Sequence, residues 1–110
     1  MIQGGNFDVN MKRAATKAMI VNEAKNGLKN VRGAIAMART SNPNSATDQF
    51  YICDKDNPFL NYAPGKPGYA VFGKVVEGME TVDAIASVQT RAGDVPVTPV
   101  IIISAKIITN

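Results

Sequence analysis

The sequence predicts a mainly β fold with minor α content, and three observations carry that reading. Apolar runs are short and bounded by glycine, proline and asparagine; the stretch Gln49–Cys53 alternates residue by residue; a single late segment, Gly78–Val88, switches to a helical period. A strand needs only a few residues of period two between turn formers, whereas a helix needs apolar positions three and four apart.

In chain order, Met1-Ile2-Gln3 reads as the end of a strand and Gly4-Gly5 as the turn that follows, with Ile2 inward and Met1 and Gln3 on the opposite face. Asn6 to Lys17 has no clear period and reads as loop, a short helix at Met11–Lys17 being the alternative. Ala18–Val21 is a brief apolar run, a strand or an extended lead into Asn22-Glu23-Ala24, and Asn26-Gly27 and Asn30 mark turns around Leu28. Gly33–Ala38 is small and apolar between Gly33 and Arg39-Thr40, which fits a tightly packed strand. Ser41-Asn42-Pro43-Asn44-Ser45 closes turns through side-chain hydrogen bonds and a preset backbone angle.

Gln49–Cys53 is a strand whose alternation puts Gln49, Tyr51 and Cys53 on one face and Phe50 and Ile52 on the other. An amide beside an aromatic ring is costly to bury without partners, so that face reads as open to a ligand. Asp54 to Gly68 holds Pro58, Pro64, Pro67 and Gly65, a mixture that excludes regular structure over most of its length. Within it Phe59-Leu60 either dock into the core or line a pocket. Ala70–Val76 reads as a strand with Gly73 marking a bulge or a close backbone approach. In Gly78–Val88, Met79, Val82, Ile85 and Ala86 share one helical face, and Glu80 and Asp83 suit the positive end of the helix dipole. Val95–Pro99 is an extended approach to a last strand, Val100–Ile108, whose Ile101, Ile103, Ala105 and Ile107 form one apolar face.

The 110 residues make one domain, which buries about two-thirds of its unfolded surface. An apolar share of 45% with 19% charged residues is ordinary for a globular protein. The net charge of +3 comes from scattered lysines and arginines without aromatic interleaving, so neither nucleic acid nor a membrane is an expected partner. One cysteine, Cys53, cannot form an internal disulfide, and it reads as a small buried residue. No signal peptide or bilayer-length apolar stretch is visible, which suggests the cytoplasm. The chain has no histidine, no metal-ligand cluster and no Ser-His or Cys-His pairing, so no cofactor or metal is expected and covalent catalysis is disfavoured.

Three stretches carry a family resemblance: Met37-Ala38-Arg39-Thr40, then Asn44 to Ile52, then Gly68-Tyr69-Ala70-Val71-Phe72-Gly73-Lys74 through Met79. They resemble the cyclophilin family of peptidyl-prolyl cis-trans isomerases in its bacterial form, and the likeness runs from Met1-Ile2-Gln3-Gly4-Gly5 almost to Asn110. It implies an antiparallel cyclophilin-like β-barrel with a late capping helix. It also covers roughly the C-terminal two-thirds of that domain, so an incomplete barrel with an open sheet edge is expected. Such a chain is expected to be destabilised, paired with another copy through that edge, or completed by a separate piece.

The resemblance further implies a groove for proline-containing peptides or unfolded segments. Met1, Tyr51 and Leu60 match walls of the proline pocket, with Phe59 at a rim where many relatives carry tryptophan, and weak cyclosporin binding follows from that difference. Gln3 and Gln49 match amides that hydrogen-bond the peptide backbone, and Ala38, Arg39 and Thr40 match the strip along which it lies. Tyr69 stands where eukaryotic relatives often have histidine. The family's imide donor is an arginine just before the position of Met1, so reduced or absent isomerase activity is expected of this sequence by itself. The alternative is a binding module that captures proline-containing or extended segments without turnover.

Overall fold

The structure, a computed structural model, describes residues 1–109. Its centre is a four-stranded antiparallel sheet made of β1 (Ile2–Gly4), β2 (Ala34–Met37), β3 (Phe50–Ile52) and β4 (Val71–Lys74), in the order β1-β3-β2-β4. A helix, α1 (Met79–Ala86), follows and lies against β1. A two-stranded ribbon, β5 (Thr90–Arg91) and β6 (Val95–Pro96), comes last. The mainly β expectation holds, and among the described residues the sheet stays open rather than closing on itself.

Register decides which side chains share a face. Ala36 on β2 stands opposite Tyr51 on β3, and Tyr51 stands opposite Gln3 on β1. Alternation then places Ala34, Ala36, Ala38, Gln49, Tyr51 and Cys53 on one side of the sheet. That side holds the core: Ala34, Ala36, Ala38, Tyr51, Cys53, Leu60 and Val71 form one buried cluster, with Tyr69 packed against it. Ala34 and Ala36 on β2, with Ala38 just after it, leave room for one large ring on β3, which is why the small-residue run and the tyrosine belong together. Ile2, Ile35, Met37, Phe50 and Ile52 occupy the opposite side and are half-buried.

The β2–β4 pairing slips between Ile35 and Ala36, which face Gly73 and Val71 respectively, so Phe72 is the extra residue of a bulge. The irregularity falls beside Gly73, where the sequence placed it. The loop before β3 closes as its composition implies: Asn42 Oδ1 accepts from the Asn44 amide at 2.9 Å, and the Ser45 hydroxyl donates to the Asn42 carbonyl at 2.6 Å. Asn6 to Lys17 is loop with one bridge between Phe7 and Arg13, and the helix alternative there is excluded.

Three expectations are corrected. Val100–Ile108 is not a strand: among the described residues no neighbouring backbone pairs with it, and its apolar face is uncovered, with Ile103 95% exposed. Pattern alone does not make a strand, because the ladder needs a partner edge. Asp83 does not serve the helix dipole alone. Its carboxylate takes a bidentate pair from Arg32 at 2.6 and 2.8 Å, which ties α1 to the turn before β2. Asn30 does not mark a turn: it stands outside any turn, is 1% exposed, and bonds Asn61 and Tyr69 instead.

Candidate functional site

The site is built on the rung that joins β1 to β3. Gln3 lies directly across from Tyr51, and Gln49 is two residues before Tyr51 on the same face. The two amides therefore meet: Gln3 Nε2 donates to Gln49 Oε1 at 3.1 Å. The Gln49 carbonyl accepts from the Ala38 amide at 3.0 Å, which fixes the end of β2 beside the same pair. Both amides lie at the solvent side, so the free Gln3 Oε1 and Gln49 Nε2 offer an acceptor and a donor to an extended chain.

Tyr51 departs from expectation. It shares the face of Gln3 and Gln49 but is covered, only 2% exposed, rather than an open wall. The cause is the segment after β3: Leu60 and Tyr69 fold back over the ring, and the Tyr51 hydroxyl donates to Asn30 Oδ1. Tyr69 meets Tyr51 edge to face, centroids 6.1 Å apart at 71°. Burial, then the nearby Cys53 and Tyr69, push the Tyr51 phenol above its ordinary range. The ring is thus buried beside the amide pair rather than open to a ligand.

Phe59 and Leu60 divide between the two readings that sequence left open. Leu60, 8% exposed, docks into the core, while Phe59, 67% exposed, stands out at the rim. A single turn of 3-10 helix, Pro58–Leu60, separates their directions. Tyr69 is held by its amide, which donates to the Leu60 carbonyl at 2.9 Å.

Arg39 is a clasp. Its guanidinium carbon sits 4.1 Å from the centroid of the Tyr69 ring, Nε and Nη2 donate to the Gly68 carbonyl at 3.3 and 2.8 Å, and Nη1 donates to the Thr40 carbonyl. A side chain so engaged has lost the freedom to reach a peptide nitrogen at the amide pair. Thr40 is occupied with Ser45, its amide and hydroxyl both meeting the Ser45 oxygen. Met1 is well exposed and contributes no enclosed wall.

The structure therefore brings together Gln3, Gln49, Ala38, Tyr51, Leu60, Tyr69 and Arg39, and leaves Met1, Thr40 and Phe59 at the margin. Sequence reasoning missed Asn30 and Gly68. Gly68 has φ +69° and its carbonyl serves both Arg39 and Asn22 Nδ2. A glycine following proline was the available signal. A cavity of about 290 Å³ lies elsewhere, along β4 between Ile20, Leu28, Met37 and Phe72, and touches the site only through Arg39.

Known proteins resemble this chain in sequence and in fold. A family model described as cyclophilin type peptidyl-prolyl cis-trans isomerase matches residues 1–107. A peptidyl-prolyl cis-trans isomerase of Acinetobacter baylyi is 59% identical over 97% of this chain and 59% of its own length. Peptidyl-prolyl cis-trans isomerase B of Escherichia coli is 54% identical over 97% of this chain and 70% of its own. The chain thus spans about three-fifths of the first of these relatives. Among solved structures, a cyclophilin type isomerase of Cryptosporidium parvum, crystallised in the presence of the dipeptide Ala-Pro, superposes with a TM-score of 0.63 at 27% identity, over 86% of this chain and 53% of that one.

Proposed function

The chain belongs to the cyclophilin-type peptidyl-prolyl cis-trans isomerase family, and on that premise we propose that it rotates the peptide bond before proline in flexible or unfolded chains. The observation that carries the proposal is the Gln3–Gln49 amide pair set next to Tyr51, against which Leu60 and Tyr69 pack. The dipeptide named with the Cryptosporidium protein supports a proline-containing ligand.

The barrier to be lowered is ~18–20 kcal/mol and arises from resonance between the peptide nitrogen and its carbonyl. Uncatalysed X-Pro exchange consequently takes tens to hundreds of seconds. Lowering it requires no bond to the enzyme. A twisted peptide has a pyramidal nitrogen and a carbonyl with more double-bond character, and a site that fits this form better than the planar ones accelerates exchange in both directions.

The residues divide that work. Gln49 Nε2 and Gln3 Oε1 grip the backbone flanking the proline, so rotation is confined to one bond. The peptide lies along Ala38, Arg39 and Thr40. Phe59 and the half-buried Tyr69 offer apolar surface to the pyrrolidine ring, with Leu60 and Tyr51 packed beneath, and this surface removes water that stabilises the planar, more dipolar amide. Met1 stays at the solvent margin, its amino group tied to Asp54 Oδ1 at 2.6 Å.

The experiment is a protease-coupled assay with an Ala-Pro tetrapeptide. Acceleration that falls in Gln49→Ala supports the proposal. Binding of the peptide without acceleration favours a capture module, and acceleration indifferent to Gln49 refutes the site.

A further inference from the structure

We infer that Asn30 is the positioning residue of the proline site, fixing Tyr51 and the covering segment Asn57–Tyr69 in one geometry; the inference rests on the functional reading above. Asn30 belongs to no strand, yet its side chain is among the most deeply buried in the protein. Each of its polar groups has a partner. Its amide donates to Asn61 Oδ1 at 2.6 Å, Nδ2 donates to the same oxygen at 3.1 Å and to the Tyr69 carbonyl at 3.4 Å, and its carbonyl accepts from the Asn57 amide at 2.8 Å. Oδ1 accepts the Tyr51 hydroxyl.

The partners are not scattered. Asn57 and Asn61 bracket Leu60, Tyr69 carries the ring that meets Tyr51 edge to face, and Tyr51 is the buried ring beside the amide pair. One residue therefore triangulates β3 against both ends of the segment that forms the apolar surface. A phenylalanine at position 51 could fill the same apolar volume. The tyrosine hydroxyl is tolerated in the core only because Asn30 Oδ1 receives it, and Asn30 is tolerated only because Tyr51, Asn61 and Tyr69 complete its bonds. Packing alone sets a ring's position loosely, whereas a hydrogen bond at its far end adds a second fixed point.

Asn30 touches no ligand in this reading and acts through Tyr51 and Leu60. Slot walls hold the proline ring in the planar and the twisted forms alike, so disturbing them raises KM more than it lowers kcat. The test measures kcat and KM for an Ala-Pro tetrapeptide with wild type, Tyr51→Phe, Asn30→Ala and the double variant, at a temperature where circular dichroism shows each fully folded. We expect KM to rise roughly tenfold in each single variant, the scale of one buried hydrogen bond broken on one side, with kcat changing much less. The double variant should go little further than the worse single one, because both break the same link.

Unchanged KM with a lowered Tm overturns the inference while leaving the isomerase reading intact, since wild type still turns over. Wild type that neither binds nor accelerates overturns the functional reading, and this inference with it. If Asn30→Ala does not fold, Tyr51→Phe decides, because it removes a single oxygen and leaves the apolar volume in place.

Discussion

Gln3 and Gln49, 46 positions apart in the chain, share one hydrogen bond of 3.1 Å across the β1–β3 pair. The bond uses the donor of Gln3 and the acceptor of Gln49, which sets the polarity of what remains: an acceptor on β1 and a donor beside β3. An extended peptide presents alternating carbonyls and amides and can satisfy both. Gln49→Glu separates the pair's two roles, for the carboxylate still accepts from Gln3 but no longer donates. We expect peptide affinity to fall roughly tenfold in nuclear magnetic resonance titration while Tm changes little, the signature of a lost ligand contact. Equal affinity would remove Gln49 from the groove.

Tyr51 predicts the alkaline limb of stability. Burial raises its phenol above the ordinary value, so the folded protein keeps the proton where the unfolded chain releases it. Tyr51 thus adds stability fully present below about pH 10 and lost as pH rises past the unfolded value. Urea midpoints should fall more steeply above roughly pH 10 in wild type than in Tyr51→Phe. Parallel curves would contradict the burial of its hydroxyl.

Gly68 is the hinge on which the covering segment turns. A Cβ there would lie 2.4 Å from the Tyr62 nitrogen and 2.7 Å from its Cα, at a φ of +69° that other residues rarely adopt. The obstruction is backbone and has no rotamer to escape into. Gly68→Ala should therefore destabilise by about 2 kcal/mol or more, with a Tm loss of several degrees. Its effect on catalysis should exceed that of substitutions at Gly27 or Gly65, where an added Cβ meets nothing within 4 Å.

The acid limb belongs in part to Arg32 and Asp83. The hydrogen bond from Arg32 holds the Asp83 carboxyl below its ordinary value, and a depressed carboxyl contributes stability above the unfolded value that is lost as pH falls through the folded one. Both groups are about half exposed, so salt should weaken the pair. Thermal unfolding of Asp83→Asn should converge with wild type at low pH and at high ionic strength. A gap that persists under both conditions would assign the effect to something other than the ion pair.

Much of the fold was legible because short range governs it. The alternation of Gln49–Cys53 gave the facing of β3, the turn chemistry of Ser41–Ser45 gave its loop, and Gly73 marked the bulge. The amide pair was half legible: alternation sets Gln49 on the face of Tyr51 and Gln3 on the face away from Ile2, but the pairing that makes the two meet comes from the β1–β3 register. What escaped was everything decided by distant chain. Tyr51 looks open when only its neighbours are considered, and it is closed by Leu60 and Tyr69 from the proline-rich segment that follows β3. Asn30 looks like a turn residue because its five bonds go to residues 21 to 39 positions later. Val100–Ile108 has a strand's letters, but no ladder among the described residues receives it.

Exchange spectroscopy on an excess of an Ala-Pro peptide reads the rate of cis-trans interconversion directly, without a coupling protease. Our account predicts that the wild-type protein speeds this exchange above the uncatalysed rate of tens of seconds, with the reduced turnover of a site whose Arg39 is held away from the peptide nitrogen, and that Gln3→Ala with Gln49→Ala reduces the acceleration by at least ~10-fold in a chain that remains folded. An exchange rate equal to that of free peptide, or an acceleration the double substitution leaves untouched, would contradict it.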